Sequence, residues 1–552
     1  MLNKTQKIND LQQPQLNLKL FFWALVAALA GFLFGFDTVV ISGAEKTIQA
    51  LWQLNDVEHG LAISMALWGT VFGALCGSWP TDKFGRKKTL LAIGFFYFIS
   101  ALWSAFADDP YSFMIARFIG GVGVGISTIA APLYIAEIAP AKYRGRLTAM
   151  FQFNIVLGIL IAFISNAALS DIGENSWRWM LGIEALPAVL FFILCFLIPE
   201  SPRWLVYQKQ NITRAKLAFT QIQPELSEEE IDKKINDIMS ARHEQIKTEK
   251  TKFWSHKLKI PICLAFFVAF FNQLSGINAI LYFSPRIFGL TGLDEQAALL
   301  QSVGIGVTNL IFTFLGLYLI DRLGRKTLLL FGSLGYIVSL SVCAFLFAVH
   351  TPAYNVVNSA NQLIEQHQSI ASDKLANDMT WQQVKTQFIN DHQEFTSSNV
   401  IITENIDDAL LLKKVKKIKQ EAKESAGDSG LLIVLSIFTF IAAHAIGQGA
   451  VIWVLISEIF PTNFRATGQS LGSFTHWFFA ALLTLFFPLL VNTFSAAFVF
   501  TVFLMMMILQ LIWVIFYVPE TKGISLEALA EKLVPSTKYL NSENKVSQEQ
   551  AL

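Results

Sequence analysis

Long apolar segments alternate with short polar ones along most of the chain. A stretch of about 20 apolar residues is long enough to cross a bilayer as a helix. On this criterion the pattern predicts twelve spans, near residues 19–43, 58–79, 88–107, 111–136, 146–168, 178–198, 258–286, 297–319, 326–349, 430–458, 467–491 and 495–518. Backbone groups in lipid must find hydrogen-bond partners within their own segment, so each span is predicted to be an α-helix. The predicted fold class is therefore an all-α membrane protein.

Composition supports this prediction and excludes several classes of function. Hydrophobic residues make up 53% of the 552 residues and charged residues only 15%, which is not typical of a soluble domain. The four cysteines lie inside apolar segments, so the sequence predicts neither a disulfide framework nor a metal site. The net charge of +1 gives no indication of a nucleic-acid partner. No nucleophile elbow or phosphate loop is recognisable, so we expect neither an enzyme nor a bound cofactor.

Internal repetition indicates that the spans form two similar halves. The segment "GSWPTDKFGRKKTLL" (77–91) recurs as "GLYLIDRLGRKTLLL" (316–330), and "AEIAPAKYRG" (136–145) recurs as "SEIFPTNFRA" (457–466). The first pair is separated by 239 residues and the second by 321, so 82 additional residues lie between the motifs of the second half. The polar stretch 351–428 is where they fall. We therefore predict two pseudo-symmetric six-helix bundles, the second interrupted by an insert.

The distribution of basic residues predicts the orientation in the membrane. Lysine and arginine are concentrated in residues 82–88, 141–146, 203–259 and 321–326, whereas the alternate short loops are acidic. Under the positive-inside rule these basic loops and both termini are cytoplasmic. We expect a multi-pass protein of the cell membrane, with the insert on the extracytoplasmic side.

The predicted division of the chain has seven parts. They are a cytoplasmic tail (1–18), the first bundle (19–198), a cytoplasmic helical linker (199–257), spans 7–9 (258–350), the insert (351–428), spans 10–12 (429–518) and a cytoplasmic tail (519–552). The insert shows helical periodicity in 360–378. Two interpretations of the insert remain open: a solvated cap without a role in transport, or a cap that gates the protein or binds an unknown partner.

A carboxylate stands within the first span, in "GFLFGFDTVVISGA" (31–44). An ionised Asp at mid-bilayer costs about 2.5 to 3.5 kcal/mol on the lenient insertion scale. Asp37 therefore needs either a partner or a function. Arg117 opens "RFIGGVGVGIS" in span 4 and has the same requirement, unless its side chain reaches the membrane surface.

Together, the two halves, the doubled "D-[KR]-x-G-R-K" loops, "PESPRWL" (199–205) and "PETKG" (519–523) resemble the sugar porter family of the major facilitator superfamily. The resemblance covers nearly the whole chain apart from the insert and the tails. The segments around Asp37 and "QFNIVLG", "PLYIAEIAPAKYRG" and "NQLSGINAILYF" are most similar to bacterial sugar/proton symporters of the xylose/proton type. The resemblance implies an importer of a monosaccharide, a hexose or a pentose, driven by protons through alternating access.

The resemblance also implies roles for individual residues. Asp37 would carry the proton and Arg117 would be its alternating partner, the other interpretation being a purely structural ion pair. A sugar offers hydroxyls, which suit amides, and an apolar ring face, which suits aromatic rings. The implied substrate-binding residues are Gln152, Gln273, Asn278, Asn309, Trp453, Tyr282, Trp477 and Phe34. For Asn278 and Asn309 in particular, hydrogen bonding between helices is the alternative.

Charged residues of the basic loops are implied to close the cytoplasmic side while the transporter faces outward. Carboxylates and guanidinium groups can form bidentate pairs across helix ends. The implied gate consists of Asp82, Arg86, Glu137, Arg144, Glu200, Arg203, Asp321, Arg325, Glu458 and Arg465. For the neighbouring lysines 87 and 88 we expect only a topological role.

Departures from the family pattern leave the sugar unidentified. The family usually has a second Gln at Asn272 and a second Tyr at Phe283. Ala450 stands where Pro is common, which favours a softer kink in span 10. His476 stands where Asn or Gln is usual, and both a structural and a substrate-reading role are open. Two alternative functions remain. A facilitative uniporter is disfavoured by Asp37, and a sugar sensor is disfavoured by the short C-terminal tail.

Overall fold

The computed structural model describes residues 17–140, 142–248, 253–371, 378–395, 408–461 and 464–524, together with residues 529 and 533. All regular secondary structure in this part of the chain is helical. Twelve helical segments are long and apolar enough to cross a membrane, as the sequence predicts. They are Leu18–Gly43, Asp56–Cys76, Arg86–Phe106, Pro110–Ile138, Arg144–Ile172, Ser176–Leu194, His256–Tyr282, Glu295–Leu323, Arg325–His367, Ser429–Ile459, Arg465–Thr493 and Ala496–Tyr517, numbered below as spans 1 to 12.

The spans pack as two halves. In the first half, span 1 packs against spans 4 and 5, span 2 against span 4, and span 3 against spans 4 and 6. In the second half, span 9 packs against spans 10 and 12, span 7 against span 11, and span 8 against span 10. The halves meet where span 2 packs on span 11 and span 5 on span 8. Gly60 allows the first of these contacts, because a side chain there would collide with the backbone of Leu485.

Spans 6, 7 and 10 are broken along their length, span 6 between Ser176–Gly182 and Ala185–Leu194. Span 7 consists of Lys259–Leu274 and Ile277–Tyr282, joined through Gly276, whose φ of 87° is a left-handed conformation that favours glycine. Span 10 is interrupted at Gly447, upstream of Ala450. Broken helices expose backbone groups and re-aim side chains, and they commonly line the substrate sites of transporters.

Shorter helices cover the two ends of the spans. Those outside the insert are Glu45–Leu51, Ser78–Phe84, Pro202–Tyr207, Ile212–Ile222, Glu228–Thr248 and Ser284–Gly289. We call the end that carries the basic loops 82–88 and 321–326 the basic-loop face, and the opposite end the cap face. The tails 1–16 and 534–552 lie outside the described residues.

Span 9 continues into the insert as a single helix. Helix Arg325–Ala371 continues without interruption through residue 351 and is 47 residues long, whereas about 20 residues are enough to cross a bilayer. Helices Asp378–Glu394 and Asp408–Ala426 pack on this extension around an apolar cluster that includes Phe388 and Val415. These three helices are the cap. The helical prediction for 360–378 holds up to residue 371, and residues 372–377 lie outside the described part.

The cap rests on the second half. The hydroxyl of Tyr354 donates a hydrogen bond of 2.6 Å to Ser429 Oγ at the start of span 10. Val357 lies directly against Gly292, which follows span 7. These contacts attach the cap to the half in which it is inserted.

Candidate functional site

Asp37 and Arg117 form a buried ion pair within the first half. Arg117 Nη1 donates to Asp37 Oδ1 at 2.5 Å, and Nη2 donates to the backbone oxygen of Asp37 at 3.0 Å. The two side chains are only 2% and 1% exposed. Each charge has the partner that its place in an apolar span requires. The predicted proximity of the two residues is present, and the predicted role of Asp37 as a proton carrier stays a prediction.

A second carboxylate belongs to this cluster, and the sequence interpretation missed it. Glu184 is buried in span 6 and interacts electrostatically with both Asp37 and Arg117. Its Oε1 atom has no hydrogen-bond partner among the described residues. The signal was available, because "LGIEALPAVL" places a carboxylate in an apolar segment just as the Asp37 segment does. The cluster therefore contains two carboxylates and one guanidinium, an arrangement in which one proton can compensate the excess negative charge.

The amides of span 7 form a connected network at its break. Gln273 Nε2 donates to Asn272 Oδ1 at 2.8 Å, and Asn278 Nδ2 donates to Gln273 Oε1 at 2.6 Å. Gln273 Nε2 also lies 3.0 Å from Nδ1 and 3.1 Å from Nε2 of His476 in span 11. Gln273 and Asn278 are predicted substrate-binding residues. They therefore lie together with Asn272 and His476, two of the positions at which this sequence differs from the family pattern.

Aromatic rings surround His476. Its ring centroid lies 5.1 Å from that of Trp453 and 4.6 Å from that of Trp477. Phe34, from the first half, lies edge-on to Trp477 at 5.4 Å. The indole nitrogen of Trp477 is buried and has no hydrogen-bond partner among the described residues. Flat apolar surfaces and an available donor therefore stand beside the amide network, as a sugar requires.

Tyr282 connects this network to the ion pair. It lies one helical turn after Asn278 in the short helix Ile277–Tyr282. Its side chain is 1% exposed and interacts electrostatically with Asp37 and Arg117 across the boundary between the halves. A movement of this short helix therefore changes the surroundings of both clusters.

Gln152 and Asn309 stand apart from the Gln273 network. Asn309 accepts a hydrogen bond of 3.4 Å from Thr313 within its own span. Gln152 is half-buried on span 5, which packs against the span of Asn309. Among the described residues neither side chain is hydrogen-bonded to Gln273. Their substrate-binding roles stay predictions.

The acid and arginine motif of the first half forms a closed network at the basic-loop face. Arg86 donates to both carboxylate oxygens of Glu137 at 2.9 and 3.0 Å and to Asp82 at 3.2 Å. Glu200 accepts from the backbone nitrogens of Arg86 and Lys87 at the start of span 3. The bidentate geometry and the helix N-terminus are both favourable for carboxylates.

The second half repeats this network. Arg325 donates to Glu458 at 2.8 Å and to Asp321 at 3.2 Å. Glu520 accepts from the backbone nitrogens of Arg325 and Lys326 at 2.9 and 3.1 Å, as Glu200 does in the first half. Glu520 was missed by the sequence interpretation, although the pairing of "PES" with "PET" indicates it.

Each network joins helices of one half. The ion pairs described at the basic-loop face run within the first half or within the second, not between them. Arg144 and Arg203 are exposed, and Arg465 has Nε and Nη2 buried without a partner among the described residues. The acid and arginine pairs at this face join helix ends within each half, and their predicted role in closing the face stays a prediction.

Comparisons with known proteins agree with this architecture. The family model described as "Sugar (and other) transporter" matches residues 23–364 and 410–533. The unmatched residues 365–409 lie inside the insert. The chain is 30% identical to the arabinose-proton symporter of Bacillus subtilis, over 92% of this chain and 93% of that protein. It is 27% identical to the D-xylose-proton symporter of Escherichia coli, over 94% of this chain and 96% of that protein.

A solved structure has the same fold. The xylose transporter XylE from Escherichia coli, in an inward-open conformation, matches with a TM-score of 0.68 at 26% identity. The match covers 92% of this chain and 99% of that one. The predicted fold class of twelve spans in two six-helix bundles is confirmed. With this fold and this family match over most of its length, the chain is a multi-pass membrane protein of the sugar transporter family within the major facilitator superfamily.

Proposed function

We propose that this protein imports a monosaccharide together with protons by alternating access. The observation that carries the proposal is the buried Asp37–Arg117 pair, which stands next to a network of amides and aromatic rings at the break of span 7. The relatives named as arabinose-proton and D-xylose-proton symporters support the same activity.

The sugar site is assigned to the surface between the halves. Gln273, Asn278 and Asn309 would hydrogen-bond to hydroxyls of the sugar, and Trp453 would pack against its ring face. Gln273 and Asn278 bond to each other and Asn309 bonds to Thr313, which avoids the cost of unpaired polar groups. The sugar must exchange these bonds for its own, so specificity depends on how well its hydroxyls replace them.

Proton coupling is assigned to Asp37, Arg117 and Glu184. When Arg117 pairs with Asp37, the carboxylate is held ionised, and when Arg117 moves away, an isolated buried carboxylate binds a proton instead. Tyr282 and Asn278 lie on the same short helix and face the two sites. Sugar binding can therefore displace the helix that borders the ion pair, and this displacement would couple sugar and proton.

The orientation and membrane are part of the proposal. The basic-loop face would be cytoplasmic, with both termini on that side, and the cap would project from the extracytoplasmic surface of the cell membrane. We assign the cap no role in moving sugar, because Tyr354 and Val357 attach it to the second half.

Uptake into proteoliposomes tests the proposal. A panel of labelled hexoses and pentoses should include at least one sugar that accumulates only when the pH gradient is imposed. Gln273→Ala should abolish that uptake, whereas Gln420→Ala, which changes an exposed amide on the cap, should not. Uptake that equilibrates at the same rate with and without the gradient would indicate a uniporter instead.

A further inference from the structure

Four polar side chains meet at the cap face on the boundary between the halves. Glu45 and Gln49 lie in helix Glu45–Leu51, directly after span 1, and His59 lies in the first turns of span 2. Arg286 comes from the second half, in helix Ser284–Gly289 after span 7. The sequence interpretation named none of these residues, and the proposed sugar and proton sites contain none of them.

The carboxylate of Glu45 is held by donors from both halves. Arg286 Nε lies 3.0 and 3.1 Å from the two oxygens, and Nη2 donates to Oε2 at 2.7 Å. His59 Nε2 lies 2.9 Å from the same Oε2, so a neutral ring donates from this nitrogen. Arg286 also donates to Gln49 Oε1 at 2.5 Å. Glu45 and His59 are 0% exposed and Arg286 is 16% exposed, so the carboxylate of the pair is shielded from solvent.

Burial and geometry make this pair stronger than an ordinary surface salt bridge. A planar guanidinium bound to two carboxylate oxygens is specific in both distance and direction. Exposed pairs contribute little because water competes for both groups. By contrast, separating a buried pair leaves charges that must be solvated anew.

The Glu45–Arg286 pair also differs in position from the ion pairs at the basic-loop face. Arg86 with Glu137 and Arg325 with Glu458 each join helices of one half. The Glu45–Arg286 pair joins the two halves, and it does so at the face where spans 2 and 11 pack closely. It must break when the halves separate at this face.

We propose that Glu45 and Arg286, positioned by His59, form a latch that holds the cap face closed. The inference rests on the proposed alternating access, in which this face must open to admit the sugar. His59 and Glu45 belong to the same half, so the carboxylate keeps one hydrogen-bond donor after Arg286 departs. The latch therefore separates along a defined line, between Arg286 and the other three residues.

A cysteine placed at the boundary reports whether this face is open. Ser42 is 2% exposed and lies in the turn Ile41–Gly43, which contacts helix Ile277–Tyr282 of the second half. The parent protein carries Ser42→Cys, with the exposed Cys76 and Cys263 changed to Ala. The rate of labelling by a membrane-impermeant maleimide is measured in the purified full-length protein without sugar and without a pH gradient.

Loss of either charge should open the face. We expect Glu45→Gln and Arg286→Gln each to raise the labelling rate at least about tenfold, the factor that corresponds to 1.4 kcal/mol. Exchanging the two charges, with Glu45→Arg and Arg286→Glu together, should return the rate to within about threefold of the parent. Asp171→Asn is the matched control, because it removes an exposed charge that accepts a hydrogen bond from Gln296 between the same halves. It should change the rate less than about twofold.

Two further variants separate the latch from a structural role. Arg286→Lys keeps the charge without the planar fork and should give an intermediate rate. His59→Leu should raise labelling, and His59→Gln, whose amide can still donate to Glu45, should restore the parent rate. Parent-like labelling in both charge-removing variants would overturn the proposal. So would a folded charge-exchanged protein that labels as fast as the single variants. The assay needs neither transport nor protons, so a failure of the proposed symport would appear in uptake and not here.

Discussion

Replacing Asp37 by Asn removes one titratable carboxylate and leaves the size of the side chain nearly unchanged. Asp37 is 2% exposed and lies 2.5 Å from Arg117, so an exposed side chain is not placed to pair with Arg117 in its stead. If Asp37 carries the proton, Asp37→Asn should abolish accumulation driven by a pH gradient. Exchange of labelled for unlabelled sugar should continue, because the amides of the sugar site are untouched.

The size of the effect follows from the driving force. One proton that crosses about 100 mV and one pH unit supplies about 3.7 kcal/mol. This energy can sustain about a 500-fold sugar gradient. In the parent protein the ratio of internal to external sugar can therefore approach this value, and in the variant it should be about 1.

The variant should also fold. Breaking a buried ion pair by removing one partner typically costs about 3 to 5 kcal/mol. Here Arg117 keeps its hydrogen bond of 3.0 Å to the backbone oxygen of residue 37 and its interaction with Glu184. We expect a loss of stability below that range, measured as a modest decrease of Tm in detergent.

Sugar accumulation is measured in proteoliposomes with an imposed inward proton gradient. The control is Asp108→Asn, which removes an acid that is 90% exposed and pairs with Arg178 at the cap face. It should accumulate sugar as the parent protein does. If Asp37→Asn still concentrates sugar in response to the gradient, Asp37 is not the carrier and the mechanism is wrong.

Three other outcomes follow from the structure. Asn278→Ala removes the amide that bonds to Gln273 and should weaken sugar binding by about 1 to 3 kcal/mol, measured by calorimetry; unchanged affinity would reject its assignment. Replacing residues 361–425 by a short flexible linker should leave the uptake rate within about twofold, because the described cap contacts at Tyr354 and Val357 remain; a folded deletion that binds sugar but does not transport it would give the cap a role. Burial opposes ionisation of Glu45, but the charge of Arg286 outweighs it and the pKa of Glu45 falls to about 2. The contribution of the ionised carboxylate to closure is complete above its ordinary pKa and is lost only as the pH falls toward 2, so the Ser42→Cys labelling rate, divided by the rate for free cysteine at the same pH, should be equal at pH 7 and pH 8; a change of this ratio between the two would contradict this prediction.

Much of the fold could be predicted because lipid imposes simple rules. The number of spans, their helical structure and the division into halves follow from apolar length, backbone satisfaction and the repeated motifs. The continuity of span 9 with the insert could not be predicted, because helix Arg325–Ala371 passes through Pro352 and the polar residues after it without ending. Its polar continuation is read as a loop when apolar length alone is considered.

Candidate site residues could be predicted where a single polar side chain stands in an apolar span, because such a side chain needs a partner or a function. That reasoning identified Asp37 and Gln273, and applied consistently it would have identified Glu184. It could not identify Glu45, His59 or Arg286, because these lie at span ends where polar residues are ordinary. Only the packing of the two halves shows that a residue of the first and a residue of the second share one buried position.

Sugar-evoked proton movement tests the central claim most directly. Proteoliposomes are loaded with a pH-sensitive dye, with no pH gradient and no membrane potential, and the transported sugar is added outside. The account predicts acidification of the lumen in step with sugar entry, absent in Asp37→Asn. Sugar that enters at the same rate without any change of luminal pH would contradict proton-coupled import.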